Sequence, residues 1–292
     1  MLLRQGSVCD KLVIKSPLSC GRRTMAGHEE QAPPGIDLTK PSIARAYDVV
    51  LGGKDNYAVD RQVVGEMLKI VPDLPQVATY NRQMLSRGVR YLAGEAGIRQ
   101  FLDLGSGLPT VENTHQVAQR VAPDARVVYV DNDPIVLAHG RALLAENDNT
   151  AVVTADLRDP AAILALPEVN RLIDFSQPVA VMLVGILHHL HDDEDPEGVA
   201  KAYMAAVPSG SYLFMTAFCR SFPEAAELEQ TYLSVLGTGR FRTSEQLQAF
   251  FGDLEMIDPG LVYLPEWRPE NPVPEKMTVA EKLMAGGIGR KR

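Results

Sequence analysis

Three short segments carry the residues best suited to chemistry: FLDLGSGLPT (101–110), YVDND (129–133) and TADLRD (154–159). Gly105 and Gly107 stand where an apolar stretch ends and a helical one begins. Glycine there permits a positive φ and lets the backbone come close to a ligand. A lone G-x-G is a weak signal, but after the first strand of an alternating strand–helix chain it is much more specific. Asp131 closes the second apolar stretch, 24 residues after Gly107. A carboxylate at that place accepts hydrogen bonds from two ribose hydroxyls. Asp156 closes the third and is placed to receive an exocyclic amino group, as adenine offers. Three successive strand ends thus outline a crevice for an adenosine.

The loop itself indicates which adenosine cofactor. A dinucleotide site continues as G-x-G-x-x-G, with the pyrophosphate at the helix N-terminus. Here the loop runs on through Leu108, Pro109 and Thr110, so the third glycine is missing. Asp103, two residues before Gly105, supplies a carboxylate able to receive an ammonium. Both features favour S-adenosylmethionine (SAM), which ends in an amino acid, over NAD.

Other residues leave alternatives open. HHLHDDED brings His188, His189 and His191 next to four acids, but adjacent histidines point apart and zinc sites use wider spacings, so no metal is expected. His188 follows the fourth strand, beside the place of a methyl acceptor. It is either a general base or a structural histidine closing the pocket. His115 either approaches the cofactor's carboxylate or packs. In LGGKDNYAVD (51–60) the glycines and Lys54 suggest a phosphate loop, yet the G-x-x-x-x-G-K spacing fails and the preceding segment reads as helix. That stretch is either a helix cap or, as preferred, part of a lid. In the lid, Tyr47 covers the pocket, Lys54 or Asn56 reaches the ligand, and the glycines supply the hinge.

The elements that must position these residues follow from periodicity. Residues up to about 96 are mostly helical, with apolar positions three and four apart. Strands and helices then alternate, and PVAVMLVGIL is the continuous apolar run of a central parallel strand. This pattern specifies an α/β doubly wound sheet that binds ligands at the carboxyl ends of its strands. LEMIDPGLVYLP reads as a hairpin turning at Asp258-Pro259-Gly260 and adding an antiparallel edge. The expected domains are a disordered tail over 1–35 (with Met25 as an alternative start), a helical cap or lid over 36–96, a SAM-binding core over 97–270 and a C-terminal tail over 271–292.

Composition limits the partners. The 292 residues carry a net charge of −8, which argues against wrapping nucleic acid. No apolar run reaches the roughly 20 residues of a membrane span. The three cysteines follow no metal or disulfide spacing, which fits a reducing cytoplasm. The sequence has no feature that sets an oligomeric state.

Five stretches, ARAYDVVLGGKDNYAVDR, FLDLGSGLPTVENTHQVAQ, VVYVDNDPIVLAHGRALL, ADLRDP and LHHLHDDEDP, together resemble the bacterial class I SAM-dependent methyltransferases of methyltransferase family 19. The likeness runs from Ile36 to Trp267. It implies a Rossmann-like fold with a seven-stranded, mostly parallel sheet and an antiparallel last strand, and it implies SAM as cofactor. It also implies that Gly105, Ser106 and Gly107 hold the methionine part, that Asp131 and Asn132 lie at the ribose, and that Asp156 and Leu157 lie at the adenine. The implied activity is methyl transfer, with no acceptor implied; a nitrogen or oxygen on a small molecule is the default expectation, because the acidic balance argues against nucleic acid. A SAM-binding regulatory protein without turnover would carry the same cofactor site, and an NAD-dependent oxidoreductase would share the fold.

Overall fold

The computed structural model describes residues 37–109, 112–144, 148–273 and 275–292. The tail expected over 1–35 and Thr110 of the glycine loop lie outside the described residues. Three helices come first: α1 (Ile43–Val50), α2 (Ala58–Ile70) and α3 (Leu74–Gly94). Strand and helix then alternate through β1 (Gln100–Leu104), α4 (Thr114–Val121), β2 (Arg126–Asp131), α5 (Pro134–Leu144), β3 (Thr150–Thr154), α6 (Pro160–Leu164), α7 (Pro167–Leu172), β4 (Ala180–Val184), α8 (Pro196–Ala205), β5 (Tyr212–Phe218), α9 (Pro223–Val235) and α10 (Ser244–Ala249). The described chain closes with β6 (Glu255–Met256), β7 (Val262–Tyr263), α11 (Val279–Lys282) and β8 (Met284–Arg290).

The strands form one mixed sheet in the order β3-β2-β1-β4-β5-β8-β6, with β7 also on β8. β1 to β5 are parallel, and β8 runs antiparallel to β5. Successive side chains leave a strand on opposite faces, so every central strand feeds two apolar layers. Phe101, Val127, Met182 and Phe214 pack with α3 and α4. Leu102, Val128, Val181 and Leu213 pack with the helices of the opposite face. Met182, Met204 and Met215 are buried in these layers. This burial on both faces explains the uninterrupted apolar runs in the sequence. The chain leaves β1 toward β2 and β3, then returns to β4 and β5, so the order reverses between β1 and β4. In such sheets, ligands bind at that switch point.

The C-terminal part differs from expectation in two ways. β6 and β7 do not fold back on each other. Both pair with the same edge of β8, Met256 opposite Gly289 and Val262 opposite Gly286, as one edge strand interrupted by residues 257–261. The segment expected as a tail contains β8, which is buried between β5 and that edge. Its sequence, MAGGIGR, is poor in the residues that favour strands. The glycines are there because neighbours come too close for a side chain: a Cβ at Gly286 would lie 2.8 Å from the Met215 carbonyl oxygen, and one at Gly287 2.9 Å from that of Gly260.

α3 is a layer of the core rather than part of a lid. A Cβ at Gly88 would lie 2.5 Å from the Phe214 ring, so the helix rides directly on β5. This close seating fixes Asn81 and Arg82, both about two turns nearer the helix start, over the carboxyl ends of the strands.

Candidate functional site

A cavity of about 560 Å³ opens at the carboxyl ends of β1 to β5, under α1, α2 and α3. Gly105, Ser106, Gly107, Asp131, Asn132, Asp156 and Leu157 all line it, as do Asp103, Tyr47 and His188. The topology therefore brings ten of the eleven expected residues together.

The glycine loop leaves β1 in the left-handed region, with φ +71° at Gly105 and +68° at Gly107. Gly105 and Ser106 donate their N–H groups to the Val130 carbonyl, at 2.7 and 3.2 Å. Asp131 braces the loop: one carboxylate oxygen accepts the Gly107 N–H at 2.8 Å, and the other accepts the Asp133 N–H at 2.9 Å. Burial raises the Asp131 pKa, while these N–H groups act against the rise. A Cβ added at Gly107 would meet no atom within 4 Å, and the Ser106 hydroxyl is buried without a hydrogen-bond partner. Open space above a glycine, beside an unsatisfied buried hydroxyl, fits the amino-acid end of SAM.

Asp103 lies beneath that loop. It is buried, accepts a hydrogen bond from the Thr114 hydroxyl at 2.7 Å, and is pushed up to about 6 by desolvation. The charge of Arg82, also in the cavity wall, opposes that rise. His115 packs behind the loop instead of entering the cavity, with its backbone N–H and Nδ1 both 2.8 Å from the Tyr129 hydroxyl. At the far edge, both oxygens of Asp156 receive the Arg158 guanidinium, at 2.9 and 3.0 Å from Nε, and this interaction lowers the carboxyl pKa. Arg158 also bonds Glu194, so it straddles two loops at the mouth. The Leu157 carbonyl accepts the Tyr203 hydroxyl at 2.9 Å.

The cap meets the loops after β1 and β2 at several points: Ala44 and Tyr57 pack with Leu108, Ile135 and Val136, Arg82 donates to the Glu112 carbonyl at 2.7 Å, and Ser42 bonds Asp133. Ser42 caps α1 by accepting the Arg45 N–H at 3.2 Å, and it donates its hydroxyl to Asp133 at 2.6 Å. Asp133 is the residue whose N–H holds Asp131. A buried Arg45–Asp60 pair at 3.0 Å secures the same turn, with Asp60 also accepting the Ser42 and Tyr57 N–H groups. On the next turn Tyr47 is half-buried against α3. Its hydroxyl accepts from Asn81 Nδ2 at 3.3 Å, and Asn81 in turn accepts from the Thr216 hydroxyl of β5 at 2.7 Å.

Asn56 and Lys54 are the exceptions. The loop after α1 wraps around Asp48, which is buried. Its carboxylate accepts the Asp55 N–H at 2.9 Å and Asn56 Nδ2 at 2.8 Å. Gly52 is left-handed at φ +75°, and a Cβ on Gly53 would lie 2.0 Å from Asp48 Oδ1. The glycines thus build a helix cap around one carboxylate. Asn56 is turned away from the cavity and Lys54 is exposed. Asn56→Ala and Lys54→Ala are each expected to leave affinity for S-adenosylhomocysteine (SAH) within about twofold of the parent. Calorimetric titration checks this, and a loss of about tenfold or more would return the loop to the site.

His188 belongs to the cavity wall after β4. Burial lowers its pKa well below 6.5, so its ring is neutral at pH 7, and its Nδ1 has no hydrogen-bond partner. Its loop is held by arginines. Arg242 donates to the carbonyls of Leu187 and Leu190 at 3.1 and 2.9 Å and pairs with Asp192 at 3.0 Å, while the Arg240 N–H donates to the His188 carbonyl. His189 Nδ1 meets the Thr238 hydroxyl at 2.8 Å, and His191 Nε2 donates to the Gly237 carbonyl at 2.9 Å. The rings of His188 and His189 stay together, with centroids 4.3 Å apart, rather than pointing apart as expected, and Asp192 and Glu194 of HHLHDDED brace the loop through Arg242 and Arg158. No group of His, Cys, Asp and Glu able to hold a metal occurs among the described residues.

Sequence reasoning missed Ser42, Asn81, Arg82 and Asp133. Asn81 and Arg82 look like ordinary polar positions of an amphipathic helix, and no local pattern marks them. Ser42, just ahead of a helical run, carries a recognisable cap signal, but its bond to Asp133 spans 91 residues.

Comparison with known proteins places these features in a wider group. Residues 29–292 match the family model described as S-adenosyl methyltransferase. The crystal structure of a candidate methyltransferase from Thermobifida fusca YX is 55% identical with a TM-score of 0.87, over 89% of this chain and 98% of that one. A duf574 family protein from Streptomyces avermitilis MA-4680 is 40% identical with a TM-score of 0.84, over 88% of this chain and 99% of that one. No curated protein matches the chain. No helix among the described residues is long and apolar enough to cross a membrane.

Proposed function

The chain belongs to the S-adenosyl methyltransferase family and is a SAM-dependent methyltransferase, and from that premise we propose that it methylates an oxygen or nitrogen of a small molecule held between the glycine loop and His188. The observation that carries this reading is the single cavity joining the two, from Asp103 and Gly105 to His188.

SAM, when bound, supplies a methyl group on a sulfonium, already a good leaving group. The protein's part is therefore mainly to orient the reactants and exclude water. In this reading Asp103 receives the ammonium, and Gly105, Ser106 and Gly107 surround the methionine part. Arg82, on the same side, offers a cation to the carboxylate. Asp131 and Asn132 face the ribose, with Asp131 using lone pairs beyond those that hold Gly107 and Asp133; a carboxylate has about four acceptor sites. Asp156 and Leu157 lie at the adenine edge. Tyr47 and the rest of α1 close the chamber from above. His188 is neutral at physiological pH and is placed to accept the acceptor's proton.

Labelled SAM incubated with a metabolite extract tests this. The label is expected in the small-molecule fraction, and calorimetry should show binding of SAM and SAH but not NAD. His188→Ala should lower turnover by about 100-fold or more while leaving SAH affinity within about twofold. Label found only in protein or nucleic acid would refute the small-molecule reading.

A further inference from the structure

The charge in the cavity wall is unevenly placed. Every charged side chain lining it comes from residues 37–42, from α1 or α3, or from β1 to β3 and the turns that follow them. Among the described residues, β4, β5, α2 and α9 contribute none. At that second end the wall from the cap includes Met67 and Leu74, and the facing wall is aromatic. Phe218 stacks on Phe241 with ring centroids 4.3 Å apart and planes 13° from parallel. Tyr232 stands edge-on to Phe218 at 5.4 Å, and the His188 ring meets Phe218 edge-on at 4.6 Å. The polar groups here are neutral. Burial depresses His188 well below its ordinary value and brings His189 to about 3.

We propose that the methyl acceptor is an uncharged aromatic molecule with a ring hydroxyl, bound against Phe218 and Tyr232 with that hydroxyl at His188. The inference rests on the reading of the glycine-loop end as the SAM site. An ammonium or carboxylate in this chamber would lose its hydration with no opposite charge to meet it. A planar ring meets partners already arranged for edge and face contact. The hydroxyl follows from the base available. A weakly basic imidazole can take a proton from a phenol, whose pKa is about 10, much more readily than from an aliphatic alcohol. In the reaction the phenolic oxygen bonds to the methyl carbon while the carbon–sulfur bond breaks, its electron pair staying on sulfur. The hydroxyl proton passes to His188 and then to solvent. The products are an aryl methyl ether and SAH.

The test titrates the protein, saturated with SAH, against four probes: 2-naphthol, 2-naphthoate, 2-naphthylmethylammonium and decahydro-2-naphthol. 2-Naphthol is expected to bind at least about tenfold more tightly than each of the others. Phe218→Leu, which keeps bulk without the ring, should weaken 2-naphthol about tenfold and leave SAH binding unchanged. With labelled SAM, 2-naphthol should yield labelled methyl ether. Binding of SAH together with equal or tighter binding of a charged probe or of the saturated alcohol overturns the proposal and leaves the SAM reading intact. Failure to bind SAH overturns both.

Discussion

Asp103→Asn is expected to weaken binding of SAM and SAH by about 100-fold at about pH 8, because removing one member of a desolvated charge pair costs about 2–5 kcal/mol. Asn keeps the size of the side chain and an oxygen to accept the Thr114 hydroxyl, so the variant removes charge and little else. Burial holds the Asp103 carboxyl at about 6, above its ordinary 3.8. A docked ammonium favours the ionised form, so binding lowers that pKa and releases a proton around pH 6. Parental affinity should therefore fall as pH drops through about 6. In Asp103→Asn this component disappears, leaving the contribution of Asp131, whose carboxyl burial also raises. Stability runs in the opposite direction. With the folded pKa above the unfolded one, the native state holds the proton more tightly between about pH 4 and 6, so the unliganded protein gains stability as pH falls through that window. Above it, the ionised buried carboxylate costs about 3 kcal/mol. The variant should thus melt higher than the parent at pH 8 and bind cofactor less well. Scanning calorimetry with and without SAH reads both effects, and equal SAH affinity in the two proteins would remove Asp103 from the cofactor site.

Gly105→Ala should be the most damaging single-methyl change in the loop. A Cβ there would lie 2.3 Å from Ile186 Cγ1 and 2.9 Å from Ile186 Cβ, so rotating the isoleucine does not clear it. The residue also sits at φ +71°, which a side chain disfavours by about 1 kcal/mol or more. Strain and overpacking together predict a loss of about 2–4 kcal/mol in stability. Ile186 lies two residues before His188, so the clash pushes on the glycine loop and on the loop after β4 at once. SAH affinity and turnover are both expected to drop. Gly107→Ala is the control. It has a similar φ of +68° but no atom within 4 Å of the new Cβ, so in the unliganded protein it should cost only about 1 kcal/mol. Adding Ile186→Ala should restore part of the stability lost in Gly105→Ala. Denaturant titration of the four proteins checks the order, and equal losses at the two glycines would show that crowding by Ile186 is not the cause.

Much of the site was legible locally because its signals are local. Gly105, Gly107, Asp103, Asp131 and Asp156 sit at strand ends, and alternating apolar stretches mark strand ends without knowledge of the fold. Parallel pairing of β1 with β2 and of β2 with β3 then brings those ends side by side. Where two local readings were compatible, sequence alone could not choose. LGGKDN fits both a cap and the hinge of a lid, with the hinge preferred from sequence; Asp48 decides for the cap, since its carboxylate gathers the loop and turns Asn56 away. MAGGIGR was misread because glycine is a poor strand former unless a neighbouring backbone leaves no room for anything larger, and those neighbours are remote in sequence.

By itself, then, the sequence determined the strand–helix alternation, the doubly wound class and the glycine-loop end of the cavity, since these depend on periodicity and on residues a few positions apart. Only the tertiary structure decided the path of the last strands, the seating of α3 that carries Asn81 and Arg82 over the sheet, and the aromatic chamber around His188. Each of these depends on contacts between distant segments: Gly286 against the Met215 carbonyl, Gly88 against Phe214, Phe218 against Phe241. Such contacts are set by how whole elements pack, and no local spacing in the chain encodes them.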